Sequence, residues 1–105
     1  MTLLRRTFLP STADLLAFEA AARHQSVSRA AEELHLTQPA VSMQVQALED
    51  QAGLPLTEQA GKKVRLTAAG EEVARQARRV AEQLREAGEA LAALKGVESG
   101  QLKIG

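Results

Sequence analysis

Four stretches of this chain carry apolar residues at helical spacing, and two short extended runs lie between the third and the fourth. In the first, Leu15, Phe18 and Ala22 share a face with Glu19, which predicts a helix running to His24. Ser11 opens it with Asp14 three residues later, a variant of the capping box. In the second, Val27, Ala30, Ala31 and Leu34 stand at i, i+3, i+4 and i+7, which makes one apolar stripe. Ser26 or Ser28 can cap its start, since a hydroxyl accepts from the orphan backbone N–H groups there. In the third, Val41, Val45, Leu48 and Ala52 recur at spacings of 4, 3 and 4 and therefore face inward. Thr37 is a good N-cap for it, and Pro39 sits in the first turn, where a missing N–H costs little. Gly53 ends it as a left-handed residue.

After Gly53, Leu56–Glu58 and Val64–Leu66 are candidate strands, with Ala60-Gly61-Lys62 as their turn. Thr67 can cap the fourth helix. From Val73 its apolar residues are Val73, Ala77, Val80, Leu84, Ala87, Leu91 and Leu94, alternately 4 and 3 apart, an unbroken a/d heptad pattern. Ala74, Ala81 and Gly88 flank the seam at a seven-residue period that permits close helix approach. Glu71 and Arg75 have the favourable i,i+4 order on the outside. A helix of about 28 residues is about 42 Å long at ~1.5 Å per residue. So long and narrow an apolar stripe cannot bury itself against so small a domain. A dimerisation helix is expected; the alternative is a helix docked on a second domain.

The joint between the second and third helices carries the functional expectation. Only His35, Leu36 and Thr37 separate them, the short turn that a helix-turn-helix requires. Gln38, Ala40, Ser42, Met43, Gln44 and Gln46 lie on or beside the outward side of the third helix. Gln pairs bidentately with adenine, Ser donates or accepts, and Ala meets a thymine methyl. The helix N-terminus also offers N–H groups and a positive dipole end to a phosphate. The bland alternative is a solvated polar face. The fold class expected is mainly α: a winged helix-turn-helix of three helices and a two-stranded β-wing, then a long dimerisation helix. Residues 1–66 would form the DNA-binding domain, 67–95 the linker helix, and 96–105 a hinge.

Composition changes this picture little. The 105 residues hold 13 basic and 13 acidic side chains, for a formal net charge of zero, so any attraction to nucleic acid must come from clustering. Lys62, Lys63 and Arg65 are the useful cluster, at the turn of the extended runs, where they would touch phosphates or simply be solvated. Arg5 and Arg6 lie in a short tail. The only aromatic residues are Phe8 and Phe18, so the core must rest on Leu, Val and Ala, and association would help it. With no Cys there is neither a disulfide nor a Cys-based zinc site. His24 and His35 match no metal-ligand spacing and read as a polar helix end and a turn residue; no metal or catalytic residue is expected. No apolar run is long enough for a membrane span and no signal-peptide pattern stands out, so a cytoplasmic protein is expected.

The motifs Ala30-Ala31-Glu32-Glu33-Leu34, Thr37-Gln38-Pro39-Ala40-Val41-Ser42, Leu48-Glu49, Gly53-Leu54-Pro55-Leu56 and Leu66-Thr67-Ala68-Ala69-Gly70 occur in order and at the right spacing. Over about Leu15 to Gly105 the chain resembles the N-terminal part of a LysR-type transcriptional regulator. Within that family, HLTQPAVSMQV most resembles regulators of carbon-fixation operons. The resemblance places recognition contacts on Gln38, Pro39, Ala40, Ser42, Met43 and Gln44, and wing contacts near Gln59, Lys62 and Lys63. Ser28 and Thr37, beside the turn, complete the expected DNA-contacting set. The resemblance favours a homodimer through the long helix, with interface residues Val73, Ala77, Val80, Ala81, Leu84, Ala87, Leu91 and Leu94 and the two helices antiparallel. It further implies a tetrameric full-length protein that bends promoter DNA and binds a small-molecule effector in a C-terminal domain. Gly100-Gln101-Leu102-Lys103-Ile104-Gly105 resembles the opening strand of that domain, so the chain is expected to stop as it starts, with no cofactor of its own.

Three positions depart from the family pattern. Its Leu-Phe-Glu-Arg is Leu56-Thr57-Glu58-Gln59 here, so Thr57 should weaken packing under the wing and Gln59 removes a cation. Met43 also stands where an Arg is common. Fewer phosphate contacts are expected, with Lys62 and Lys63 taking a larger share. Two other classes are weighed: a coiled-coil adaptor whose helix-turn-helix binds protein, and a small enzyme. The adaptor is favoured if Gln38→Ala plus Ser42→Ala leaves binding to every DNA tested unchanged. The enzyme finds no support, for there is no nucleophile triad spacing and no glycine-rich phosphate loop.

Overall fold

The computed structural model describes residues 8–103, apart from the side chains of Gln59 and of residues 97–103. Three helices lead: α1 (Thr12–His24), α2 (Val27–Leu34) and α3 (Gln38–Ala52). Strands β1 (Thr57–Ala60) and β2 (Lys63–Leu66) follow as an antiparallel hairpin, and α4 (Ala68–Lys103) completes the chain.

Each of the first three helices starts where a hydroxyl meets a free amide. Ser11 Oγ accepts from Asp14 N at 3.1 Å, Ser26 Oγ from Arg29 N at 3.0 Å, and Thr37 Oγ1 from Ala40 N at 3.2 Å. The cap of α2 is thus Ser26, which leaves the Ser28 hydroxyl for another partner. Each helix ends on a left-handed residue: Gln25 at φ 55°, His35 at φ 58° and Gly53 at φ 73°. His35 is the turn residue expected, and His24 lies in the last turn of α1.

Small residues bring α1 and α2 close together. Ala17, Ala20, Ala21, Ala30 and Ala31 are buried with Val41 of α3, and Val27, Leu34 and Val45 close over them. A second cluster of larger side chains, Phe18, Leu48 and Leu56 with Ala74, binds α1, α3 and α4 together. Phe18 is wholly buried there.

The hairpin is shifted from its expected bounds. Leu56 is not in β1; it precedes the strand and is fully buried. Pairing continues to Ala60 opposite Lys63, so the turn is only Gly61-Lys62, with Gly61 at φ 69°. A two-residue hairpin loop needs positive φ at its centre, which glycine supplies without strain.

The long helix departs from expectation at both ends. Val73 packs into the Phe18 cluster and Ala77 is fully buried within the chain. They were expected in a dimer seam, but α4 begins against α1 and its first two seam positions are used by the domain's own core. Val80 and Ala81 are half-buried, while Leu84, Ala87, Leu91 and Leu94 are exposed, Leu84 to 47% and Leu94 to 65%. At its far end α4 does not stop at residue 95 but runs through Gly96 and Gly100 to Lys103, where a hinge and the start of a strand were expected. Each Gly costs a helix about 1 kcal/mol, which does not end it without a proline or a competing contact.

Candidate nucleic-acid interface

The helix-turn-helix presents one side to solvent, and most of the expected contact residues stand on it. Ser28, Thr37, Gln38, Pro39, Ser42 and Met43 are exposed, Met43 to 70%, and Ala40 is half-buried. Val41 and Leu48 anchor the opposite side of α3 in the core, so the outward direction of these side chains is set by the helix's burial. Across the turn, Gln38 Nε2 donates to Ser28 Oγ at 3.3 Å. This bond orients the Gln38 amide before any partner arrives. Further along, Gln46 Nε2 donates to Asp50 Oδ1 at 3.1 Å.

Gln44 behaves differently. It is half-buried, and its Oε1 lies buried without a hydrogen-bond partner among the described residues. It is not one of the outward side chains, because its place on the helix is the flank beside Val41, Val45 and Leu48.

Exposed cations stand on the hairpin and on α2. Lys62 and Lys63 are exposed at the hairpin tip, Arg65 is exposed on β2, and Arg29 is exposed on α2. The side chain of Gln59 lies outside the described residues, as do Arg5 and Arg6.

An ion network joins α1 to α2. The Arg23 guanidinium donates to both oxygens of Glu19 and both of Glu33, each at 2.9 Å. His24 Nε2 lies 2.6 Å from Glu33 Oε1. The hydrogen bonds from Arg23 and then His24 hold the Glu33 carboxyl at a pKa of about 2. Those to Glu19 and Glu33 raise that of Arg23 above its ordinary value. Arg23 was not singled out in the sequence, Glu33 stood only within a motif and His24 read as a polar helix end; Glu19 on an otherwise apolar stripe was the available signal.

The wing is fastened at three points. Glu49 Oε2, on α3, accepts from Leu56 N at 2.8 Å, Thr57 N at 3.0 Å and Thr57 Oγ1 at 3.1 Å. On β2, Val64 N donates to the carbonyl of Gln25 at 3.3 Å. Thr67 closes the base, donating from Oγ1 to Pro55 O at 2.7 Å and from N to Leu56 O at 3.1 Å. A groove of about 330 Å³ lies between α3 and the hairpin, lined among others by Val45, Glu49, Thr57 and Val64. Thr57, standing where the family has Phe, borders this groove. Glu49 was noted in the sequence only within a motif. Its sign was its place near the C-terminal end of α3, where a carboxylate opposes the helix dipole unless something else holds it.

Among the described residues no group of three His, Asp or Glu side chains is arranged to hold a metal ion, and no helix is long and apolar enough to cross a membrane.

The sequence profile of the bacterial regulatory helix-turn-helix proteins of the lysR family matches residues 12–71. A RuBisCO operon transcriptional regulator from Allochromatium vinosum is 57% identical over 94 residues, which are 90% of this chain and 31% of that protein. The chain therefore spans about a third of the length of that relative. Among solved structures, the CbnR DNA-binding domain in complex with DNA is 34% identical at a TM-score of 0.69, covering 81% of this chain and 98% of that one. The BenM DNA-binding domain bound to catB site 1 DNA is 26% identical at a TM-score of 0.73, covering 81% and 94%. The chain belongs to the LysR family of bacterial helix-turn-helix transcriptional regulators.

Proposed function

We propose that this chain reads an inverted repeat in promoter DNA as a homodimer, with α3 of each copy in a major groove and the wing on the flanking backbone. The observation that carries this reading is the outward face at the start of α3, where Gln38 is held by Ser28 beside exposed Ser42 and Met43. A preset amide on a capped helix end suits bidentate recognition of a base edge. Lys62 and Lys63 would fix register through phosphates, which carry no sequence information themselves. Thr37, Pro39 and Ala40 line the close approach of the helix end.

Dimerisation runs through the exposed part of α4, from Val80 and Ala81 to Leu84, Ala87, Leu91 and Leu94. Two-fold symmetry then places the half-sites one helical turn apart or a multiple of it. The likeness to a RuBisCO operon regulator supports target promoters among carbon-fixation genes. In the whole protein, a tetramer in the cytoplasm would bend the promoter and respond to a small metabolite bound outside these residues.

The test is selection of sheared genomic DNA by the purified chain, followed by sequencing. The expected result is an enriched inverted repeat upstream of particular operons. Recovery of DNA no different from the input contradicts the reading and favours an adaptor that binds protein through the same face.

A further inference from the structure

We propose that Glu49 is a positioning residue: it sets the wing against the recognition helix, and so decides which phosphates Lys62 and Lys63 reach without touching DNA. The inference rests on the DNA-reading role proposed above.

Gly53 leaves α3 with φ 73°, and Leu54 is 56% exposed. The backbone then turns inward, because Leu56 is fully buried in the second core cluster. Its N–H goes in with it and requires an acceptor. Glu49 supplies one oxygen to that N–H, to the next N–H and to the Thr57 hydroxyl. Hydrogen bonds to an ionised acceptor belong to the stronger class. Because all three donors converge on one atom of α3, the first residue of β1 cannot shift along α3 without breaking more than one of them.

Thr57 adds a side-chain donor to this arrangement. A phenylalanine there would pack its ring and offer no side-chain donor, while its backbone N–H could still reach Glu49. Here the hydroxyl is the third donor and a groove of about 330 Å³ remains beside it. The Thr57 side chain therefore holds the wing by a directed bond as well as by contact. Of the other two fastenings, Val64 N to Gln25 O ties β2 to the α1–α2 corner, and Thr67 ties the base of the wing to the start of α4; neither reaches α3. Glu49 is thus the side-chain link between the helix that meets bases and the hairpin that meets phosphates.

Two measurements on Glu49→Ala and Thr57→Val test this, beside Glu49→Gln, which keeps an acceptor oxygen. The first is amide hydrogen exchange without DNA. Faster exchange at Leu56, Thr57 and the hairpin, with α1–α3 amides unchanged, is expected for Glu49→Ala and, more weakly, for Thr57→Val. Exchange that is unchanged, or raised evenly over the whole domain, overturns the latch. The second is a hydroxyl-radical footprint with a salt titration on the duplex that the unaltered chain selects. Glu49→Ala should keep protection beneath α3, lose flanking protection, and lower the salt slope by about one to two. Glu49→Gln should keep most of the flanking protection. Protection lost in equal measure everywhere makes Glu49 a general structural residue and overturns the positioning role. If the unaltered chain selects no duplex at all, the DNA reading fails, and hydrogen exchange still decides the latch.

Discussion

Gly70 lets the start of α4 lie against the backbone of Leu56: a Cβ there would stand 1.9 Å from the Leu56 carbonyl oxygen and 2.9 Å from its carbon. Leu56 is itself fully buried, and its carbonyl already accepts from Thr67 N, so the obstructing atoms cannot swing away as a flexible side chain would. The glycine that closes Leu66-Thr67-Ala68-Ala69-Gly70 is required by this close approach, which joins the wing to the long helix.

Gly70→Ala is therefore expected to destabilise the domain by at least the ~1–3 kcal/mol typical of overpacking. Gly88→Ala, where a Cβ meets nothing within 4 Å, should leave domain stability unchanged or slightly raised. Urea denaturation of the two variants distinguishes them, and equal effects would remove the Leu56 contact from the account.

Acid should weaken the α1–α2 joint through Glu33. Its pKa falls from the ordinary 4.5 to about 2 in the folded chain, so the unfolded chain binds the proton more tightly. The stability it contributes is present above pH 4.5 and lost as pH falls from there toward 2. The Arg23 and Glu33 side chains are 44% and 40% exposed, so the contribution is small and should shrink further in salt. Comparing denaturation midpoints of the unaltered chain and Glu33→Gln across this range checks it; identical pH dependence would contradict it.

The exposed half of α4 should control association. Leu84→Glu places a charge in the proposed seam at a residue 47% exposed in the single chain, so monomers that remain folded are expected. Sedimentation velocity reads the mass and circular dichroism the fold. A dimer unaltered by the substitution would mean that the copies meet elsewhere.

Lys62→Ala should lower the salt slope of DNA binding by about one, as loss of a single phosphate contact does. Affinity should fall alike on cognate and random duplexes, because the contact carries no base information. A slope that stays the same would place Lys62 off the DNA.

Local chemistry was legible wherever one side chain served its own helix. Ser11, Thr37 and Gly53 mark boundaries because capping is decided within a few residues, and the inward face of α3 follows from period alone. What could not be read was the identity of the neighbour. A heptad does not say what covers it, so Val73 and Ala77 looked like Leu84 and Leu91 although Val73 packs on the Phe18 cluster and Ala77 is fully buried within the chain. Ser26 and Ser28 were equivalent as caps until Gln38 was seen to engage Ser28. The bonds of Glu49 to Leu56 and Thr57 span seven and eight residues, beyond the reach of any periodicity.

The central claim is that α3 selects sequence through Gln38, and the most direct measurement compares Gln38→Ala with the unaltered chain on the selected inverted repeat and on a scrambled duplex. A loss of about 1–3 kcal/mol is expected on the repeat, as for a lost bidentate base contact, and almost none on the scrambled duplex. An equal loss on both would make Gln38 a non-specific contact and contradict the claim.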